Sequence, residues 1–283
     1  MLTQTEQGYV IVALHHPDID YVRCASQLAH SVKHWNPHAQ ICLITDITDV
    51  ENSVFNEIRI ISRTNPDNAW ADDWQVFSQS PFRETIKLEA DMLIVSPIDH
   101  WWDLFRHKDM VISTGCNSWH GGLSQNRTYR RVFDHNGLPD VYNAVTYWRR
   151  SATARDFFVK VREIFDNWQQ YRRCVRFAED VPSTDLVYAM AAVLIGVEKV
   201  TMPFATYPHI VHMKPLHAGT STDRWTRELV WEYDQGYLRI QTQAQWVLFI
   251  TMSRIGSHDD LARTCGHSRS HAHAKASVLS FIS

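Results

Sequence analysis

The sequence predicts an α/β fold built on a mixed, mostly parallel sheet flanked by helices, with a helical or irregular C-terminal part. Two observations carry that expectation. Short apolar runs alternate with helical periodicity through the first half, the pattern of β-α-β units whose sheet is covered on both faces. The 283 residues, 45% hydrophobic and 21% charged, also suffice for one large domain. No apolar run approaches the ~18–20 residues of a membrane helix.

The elements follow in order. Residues 9–14 (YVIVAL) read as a buried strand. A helix runs from Asp18, its expected N-cap, to Trp35. Residues 41–45 (ICLIT) and 58–61 are the next strands, and 70–77 a short helix or ordered aromatic loop. Residues 85–96 (TIKLEADMLIVS) contain a fourth strand and 110–113 a fifth. In the second half, 142–148 reads as a strand. A helix from the cap Ser151 to about Arg173 has apolar residues at Phe157, Phe158, Val161, Ile164, Phe165 and Trp168. A further helix covers 185–194, and 199–202 and 210–213 read as short strands. From about Ser257 the chain is rich in His, Ser and Ala, including His267, His271 and His273, and reads as a flexible tail.

Composition narrows the function. The N-terminal residues 1–8 are polar, with neither a basic nor an apolar region of a secretory signal. Five scattered cysteines, Cys24, Cys42, Cys116, Cys174 and Cys265, form no CxxC pair and suggest neither a zinc site nor a disulfide framework. A cytoplasmic protein with reduced thiols is the resulting expectation. Net charge is −3, which argues against nonspecific nucleic-acid binding, yet 127–176 holds eleven Lys or Arg against five Asp or Glu. That stretch is either a basic face for a polyanion or an ordinary solvated helix face.

Glu89-Ala90-Asp91 is the first chemical candidate. It lies inside an apolar run, where two carboxylates are costly to bury unless paired or bound to a cation. On a strand, residues i and i+2 share a face, so both acids would aim at one site suited to a hard divalent ion. His212-Met213-Lys214-Pro215 is the second. His212 can complete a metal shell and Lys214 can neutralise a leaving diphosphate, although a surface His beside an exposed Lys is the plainer account. In Tyr142-Asn143-Ala144 the amide of Asn143 can donate to and accept from sugar hydroxyls, or merely satisfy backbone groups. In Ser183-Thr184-Asp185 the carboxylate is either a sugar-binding or catalytic group or part of a plain helix start. Trp70, Trp74, Trp119 and Trp148 flank these motifs and offer stacking faces, whereas Trp101, Trp102 and Trp168 read as core.

Taken together, these motifs resemble a glycosyltransferase of the GT-A (Rossmann-like) type, and in their order the retaining, galactosyl/glycogenin-like branch. The resemblance spans roughly residues 8–217. It implies one catalytic domain over 1–256, with a nucleotide-sugar half at 8–115 and an acceptor half at 116–256. It also implies a UDP-sugar donor and Mn2+ or Mg2+ held by Asp91 and His212. Glu89 becomes a metal ligand or ribose contact, Lys214 a diphosphate contact, and Asp185 and Asn143 the catalytic pair. Glu89 stands where the family has Asp, and no glycine separates His212 from Lys214-Pro215. Two stretches, 80–87 (SPFRETIK) and 138–143 (LPDVYN), also resemble glycosyltransferase-like proteins of large tailed phages. That likeness implies transfer of glucose or arabinose to 5-hydroxymethylcytosine in double-stranded phage DNA. Arg127, Arg130, Arg131, Arg149 and Arg150 would then grip acceptor phosphates. A saccharide or protein acceptor is the alternative. An inactive DNA-binding accessory protein is the alternative of another class. A nucleotidyltransferase would want a Gly-rich loop after the first strand, where His15-His16-Pro17 stands.

Overall fold

The computed structural model describes residues 5–51, 54–65, 68–94, 96–118, 130–202, 210–212, 230–234, 237–241 and 249–251. The chain begins with β1 (Thr5–Val12), α1 (Tyr21–Trp35), β2 (Ile41–Thr45) and β3 (Glu57–Ile60). A 3₁₀ helix (Ala69–Gln75), α2 (Val76–Gln79), β4 (Phe82–Glu89), β5 (Met92–Ile94), α3 (His100–Phe105), β6 (Met110–Thr114) and β7 (Asn117–Ser118) follow. Then come α4 (Arg131–Asn136), β8 (Val141–Arg149), α5 (Ala152–Asp166), α6 (Trp168–Cys174), α7 (Thr184–Ile195) and α8 (Val197–Val200). The last are β9 (Ile210–His212), β10 (Val230–Asp234), β11 (Tyr237–Gln241) and β12 (Phe249–Thr251).

The expected mixed, mostly parallel sheet is present. Its order is β3-β2-β1-β4-β8-β6, with β8 antiparallel to both its neighbours and the other pairs parallel. Alternation along β1 divides the core in two. Tyr9 and Ile11 pack with Leu28 of α1 and with Trp101 and Trp102 of α3. Val10 faces the other way, toward Trp148, Phe157, Phe158 and the apolar helix α7. Trp101, Trp102 and Trp168 are buried, as their apolar settings predicted. Gly8 has a steric reason: a Cβ there would stand 2.4 Å from the Phe82 ring.

A second sheet has the order β5-β12-β9-β7. It begins where the first one ends. The single strand expected within 85–96 is two, because Ala90 and Asp91 form a turn that carries the chain from β4 into β5.

Other boundaries also differ. The N-cap of α1 is Asp20, whose Oδ1 accepts from Arg23 N at 2.9 Å, and not Asp18. The helix expected from Ser151 to Arg173 keeps its Ser151 cap but breaks at Asn167. The Asn167 side chain donates to Glu163 O at 2.9 Å, competing with the helical ladder. The strand expected at 199–202 is the short helix α8, after which Thr201 alone bridges Ile112. Gly196, at φ 109°, ends α7 and redirects the chain at that point. The expected tail from 257 lies outside the described residues. Among the described residues, no helix is long and apolar enough to cross a membrane.

A charged pair is buried in the sheet interior. Lys87 on β4 is 2% exposed and donates to Asp73 Oδ1 of the 3₁₀ helix at 2.5 Å. Tyr188 of α7 donates to the other oxygen of Asp73, and the Lys87 ammonium lies 5.4 Å from the Tyr188 ring. Burial, then the Asp73 carboxylate, raise the Tyr188 phenol well above its ordinary pKa, so it stays a donor. Removing one partner of such a pair strands the other charge. Lys87→Met is therefore expected to cost about 3–5 kcal/mol in urea unfolding. Lys87→Met with Asp73→Asn is expected to recover a large part of that loss.

Candidate functional site

Open parallel sheets bind ligands beyond the carboxyl ends of their strands. Here β1 and β4 end level with each other, with Val12 opposite Glu89, and β2 ends beside them at Thr45. The loop after β1 is pinned to this edge: His15 N donates to Asp46 Oδ1 at 2.7 Å, just past β2. Aromatic rings line the same edge. His16 meets Tyr21 edge-on at 5.8 Å, and Tyr21 meets Trp70 at 6.1 Å between centroids. Trp70 is 43% exposed, so part of its ring faces water.

The Glu89-Ala90-Asp91 motif sits on this edge, but not as a strand with both acids on one face. Because β4 stops at Glu89 and Asp91 is in the turn, the i, i+2 rule does not relate them. Glu89 bears on the Tyr188 phenol on the α7 side of the sheet. Asp91 bears on the Cys24 thiol of α1, on the opposite side. Burial first, then Asp91 and Asp20, push that thiol up to about 11.

The second sheet relates Asp91 to His212. Met92, the residue after Asp91, pairs with Thr251, which pairs with His212, which pairs with Ser118. Two strand spacings separate Met92 from His212, about 10 Å between backbones. His212 is buried, and its ring meets that of Tyr142 edge-on at 6.2 Å. Among the described residues, no group of three or more His, Cys, Asp or Glu converges on a metal position. Asp91, in the turn just before Met92, and His212 bring one oxygen and one nitrogen donor to this sheet, about two strand spacings apart. Lys214 lies outside the described residues.

The two residues expected to face the sugar are tied into the protein. Asn143 is 2% exposed, which corrects the expectation of an amide open to sugar hydroxyls. Its Nδ2 points to Asp73 Oδ2 at 3.5 Å, and its Oδ1 accepts from Thr146 Oγ1 at 3.0 Å. Asp185, partly exposed at the start of α7, accepts from Asn143 N on Oδ1 at 2.8 Å and from Arg130 Nη1 on Oδ2 at 3.0 Å. Both of its oxygens thus already hold a donor.

The arginines expected to meet DNA have diverse settings. Arg130 is buried, a correction to its place on a basic face. It pairs with Asp140 at 3.1 Å as well as with Asp185, and its guanidinium carbon lies 4.2 Å from the Phe133 ring and 3.9 Å from the Tyr142 ring. A cation removed from water needs such partners. Arg149 pairs with Asp109, and Arg150 donates to Ser80 O and Phe82 O while lying over Phe77. Arg131 is exposed on α4, and Arg127 lies outside the described residues. Further along, Arg155, Lys160, Arg162 and Arg172 each have an acidic partner. Much of the positive excess of 127–176 is therefore met by nearby carboxylates.

Sequence reasoning missed Asp73 and Tyr188 as partners around Asn143. A signal was present: Lys87 within an apolar strand requires a carboxylate, and Asp72-Asp73 sits in the aromatic stretch AWADDWQ just upstream.

In overall structure the chain is similar to several solved glycosyltransferases. The glycosyltransferase GlyE of Streptococcus pneumoniae TIGR4 matches 70% of this chain and 45% of its own at 10% identity, TM-score 0.44. The bifunctional glycosyltransferase WbbM matches 80% of this chain and 42% of its own at 10% identity, TM-score 0.47. The galactosyltransferase LgtC, solved with donor and acceptor sugar analogues, matches 65% and 70% at 12% identity, TM-score 0.43. The chain spans less than half the length of the GlyE and WbbM chains. No family model and no curated protein sequence matches it. Likeness at this level determines neither a donor nor an acceptor.

The position of Asp91 can be checked chemically. Asp91→Asn removes a negative charge that opposes thiolate formation at Cys24, so the thiol pKa falls and more thiolate is present at a given pH. Alkylation of Cys24 at pH 9, followed by mass spectrometry, is expected to speed up severalfold. An unchanged rate would place Asp91 away from α1.

Proposed function

We propose that this protein is a GT-A-type glycosyltransferase that takes a sugar from a UDP-sugar bound at the carboxyl edge of the six-stranded sheet. The observation that supports this reading is that Asp91, in the turn after β4, immediately precedes Met92, which shares a register row with Thr251 and His212. That turn lies where β1, β2 and β4 end, the location at which open α/β sheets take nucleotides.

The parts have separate tasks. The Tyr21 and Trp70 rings offer a stacking face for the base. Asp91 would offer an oxygen and His212 a nitrogen donor to a divalent cation, with Glu89, which faces the other side of the sheet, a ribose contact rather than a further ligand. When bound there, the ion would supply charge stabilisation for the departing diphosphate. Lys214 adds a point charge to the same group. In the transfer, an acceptor hydroxyl oxygen bonds to the anomeric carbon, whose bond to the diphosphate oxygen breaks with the electron pair leaving on UDP. The hydroxyl proton passes to a base. Asp185 and Asn143 serve on the sugar side by holding the start of β8 against α7, since their polar atoms already have internal partners.

The proposed acceptor is 5-hydroxymethylcytosine in double-stranded phage DNA, with glucose or arabinose as the sugar. Its support is the resemblance of residues 80–87 and 138–143. Exposed Arg131 is the member of the expected basic set best placed for a phosphate. Arg127 keeps its proposed role.

Incubation with a panel of UDP-sugars and Mn2+, with and without hydroxymethylated DNA, tests both levels. Slow UDP release is expected without acceptor, falling at least about 100-fold in Asp91→Ala and His212→Ala. A mass gain on the DNA is expected with one of the sugars. No UDP release from any donor would sink the transferase reading. Release with a mass gain only on saccharide or protein would sink the DNA acceptor alone.

A further inference from the structure

We infer that Arg130 is the positioning residue of the donor site, coupling its sugar side to its metal side, an inference that rests on the donor-site reading above. The guanidinium is the junction of two contact chains. One runs from Nη1 to Asp185 Oδ2 at 3.0 Å, and from Asp185 Oδ1 to the backbone N–H of Asn143 at 2.8 Å. The other runs from the guanidinium carbon, 3.9 Å from the Tyr142 ring centroid, to that ring's edge-on contact with His212 at 6.2 Å. Both chains enter β8 at consecutive residues, Tyr142 and Asn143. The remaining donors secure the cation itself: Nε pairs with Asp140 at 3.1 Å and Nη2 donates to Val141 O.

The chemistry is specific to arginine. Two acceptors, Asp185 Oδ2 and Val141 O, take hydrogen bonds from the fork, Asp140 adds an ion pair at Nε, and the rings of Phe133 and Tyr142 lie 4.2 and 3.9 Å from the guanidinium carbon. A lysine ammonium keeps the charge but has neither the fork nor the faces. With Arg130 2% exposed and its two carboxylate partners partly exposed, the charge is shut in while its effects reach the surface. Without the guanidinium, Asp185 can swing away from Asn143 N, and the Tyr142 ring loses what sets its plane against His212. Groups that orient ligating side chains typically matter by 10–100-fold. A plain stabilising role would instead lower stability without selecting the donor site.

Phe133 provides the contrast, because it packs on the same guanidinium without being a link in either chain. Calorimetric titration of UDP in the presence of Mn2+ into the full chain, alongside urea unfolding, tests the inference. Arg130→Lys is expected to weaken UDP binding roughly 10–100-fold. Phe133→Leu is expected to lower stability with binding changed by about twofold or less. Asp185→Asn, which breaks only the chain to Asn143, should also weaken binding, with the double variant little worse than Arg130→Lys alone, since Arg130→Lys already breaks that chain. If Arg130→Lys does not fold, Asp185→Asn carries the test. Arg130→Lys or Asp185→Asn binding UDP as tightly as wild type overturns the inference, and so does Phe133→Leu weakening binding as much as Arg130→Lys. A wild-type chain that binds no UDP overturns the donor-site reading, and this inference with it, before any variant is compared.

Discussion

Lys87 and Asp73 form a charged pair closed off from water, and the central sheet is organised around it. Lys87 projects from β4, the strand that joins the parallel half of the sheet to the antiparallel β8. Asp73 comes from the 3₁₀ helix, and Tyr188 of α7 and Asn143 of β8 bring their polar atoms to the same carboxylate. Two charges taken from water recover their desolvation cost only when the remaining hydrogen-bonding capacity is met. Here that requirement fixes the relative placement of four elements. An apolar pair could fill the same volume, but it would not specify which oxygen faces which strand.

A second charged group, Arg130, serves the neighbouring region in the same way. Asp185, at the first turn of α7, is held between a guanidinium and a backbone N–H of β8. The two networks meet at Asn143, whose backbone belongs to one and whose side chain belongs to the other. The start of β8 is thereby fixed from both sides, and it lies next to the buried His212 through Tyr142. Under the proposed transferase reading, polar support of this kind would suit charge developing on a departing phosphate, because the surrounding dipoles need not reorganise.

The turn at Ala90-Asp91 has a different kind of importance. It moves the chain from the six-stranded sheet to the four-stranded one, so an acid at that turn belongs to the edge of both. His212 reaches the neighbourhood through strand pairing, across more than a hundred residues of sequence. A metal or phosphate site at such a junction draws its groups from distant parts of the chain and is only as precise as the register between the sheets.

Much of the fold was legible in the sequence because its signals are local. β2 lies where the run ICLIT stands, and Ser151 and Ser183 cap their helices through their own side chains. Burial of Trp101 and Trp102 follows from the apolar spacing around them. Asp91 and His212 were singled out by residue type and setting, but their relation was not: it depends on Met92, Thr251 and His212 falling in one row, which no local pattern encodes. Arg130 looked like one more member of a basic stretch, yet it is buried against the Phe133 ring of its own helix, the Tyr142 ring of β8 and the carboxylates of Asp140 and Asp185. Asn143 looked like a free amide until Asp73, 70 residues away, occupied one end of it. The sequence by itself determined most of the strands and helices of the first sheet and which residues are costly to bury, though not the helix at 197–200 or the turn at Ala90-Asp91. The tertiary structure decided which charges share a partner, because pairing across elements depends on distances set only once the sheets are formed.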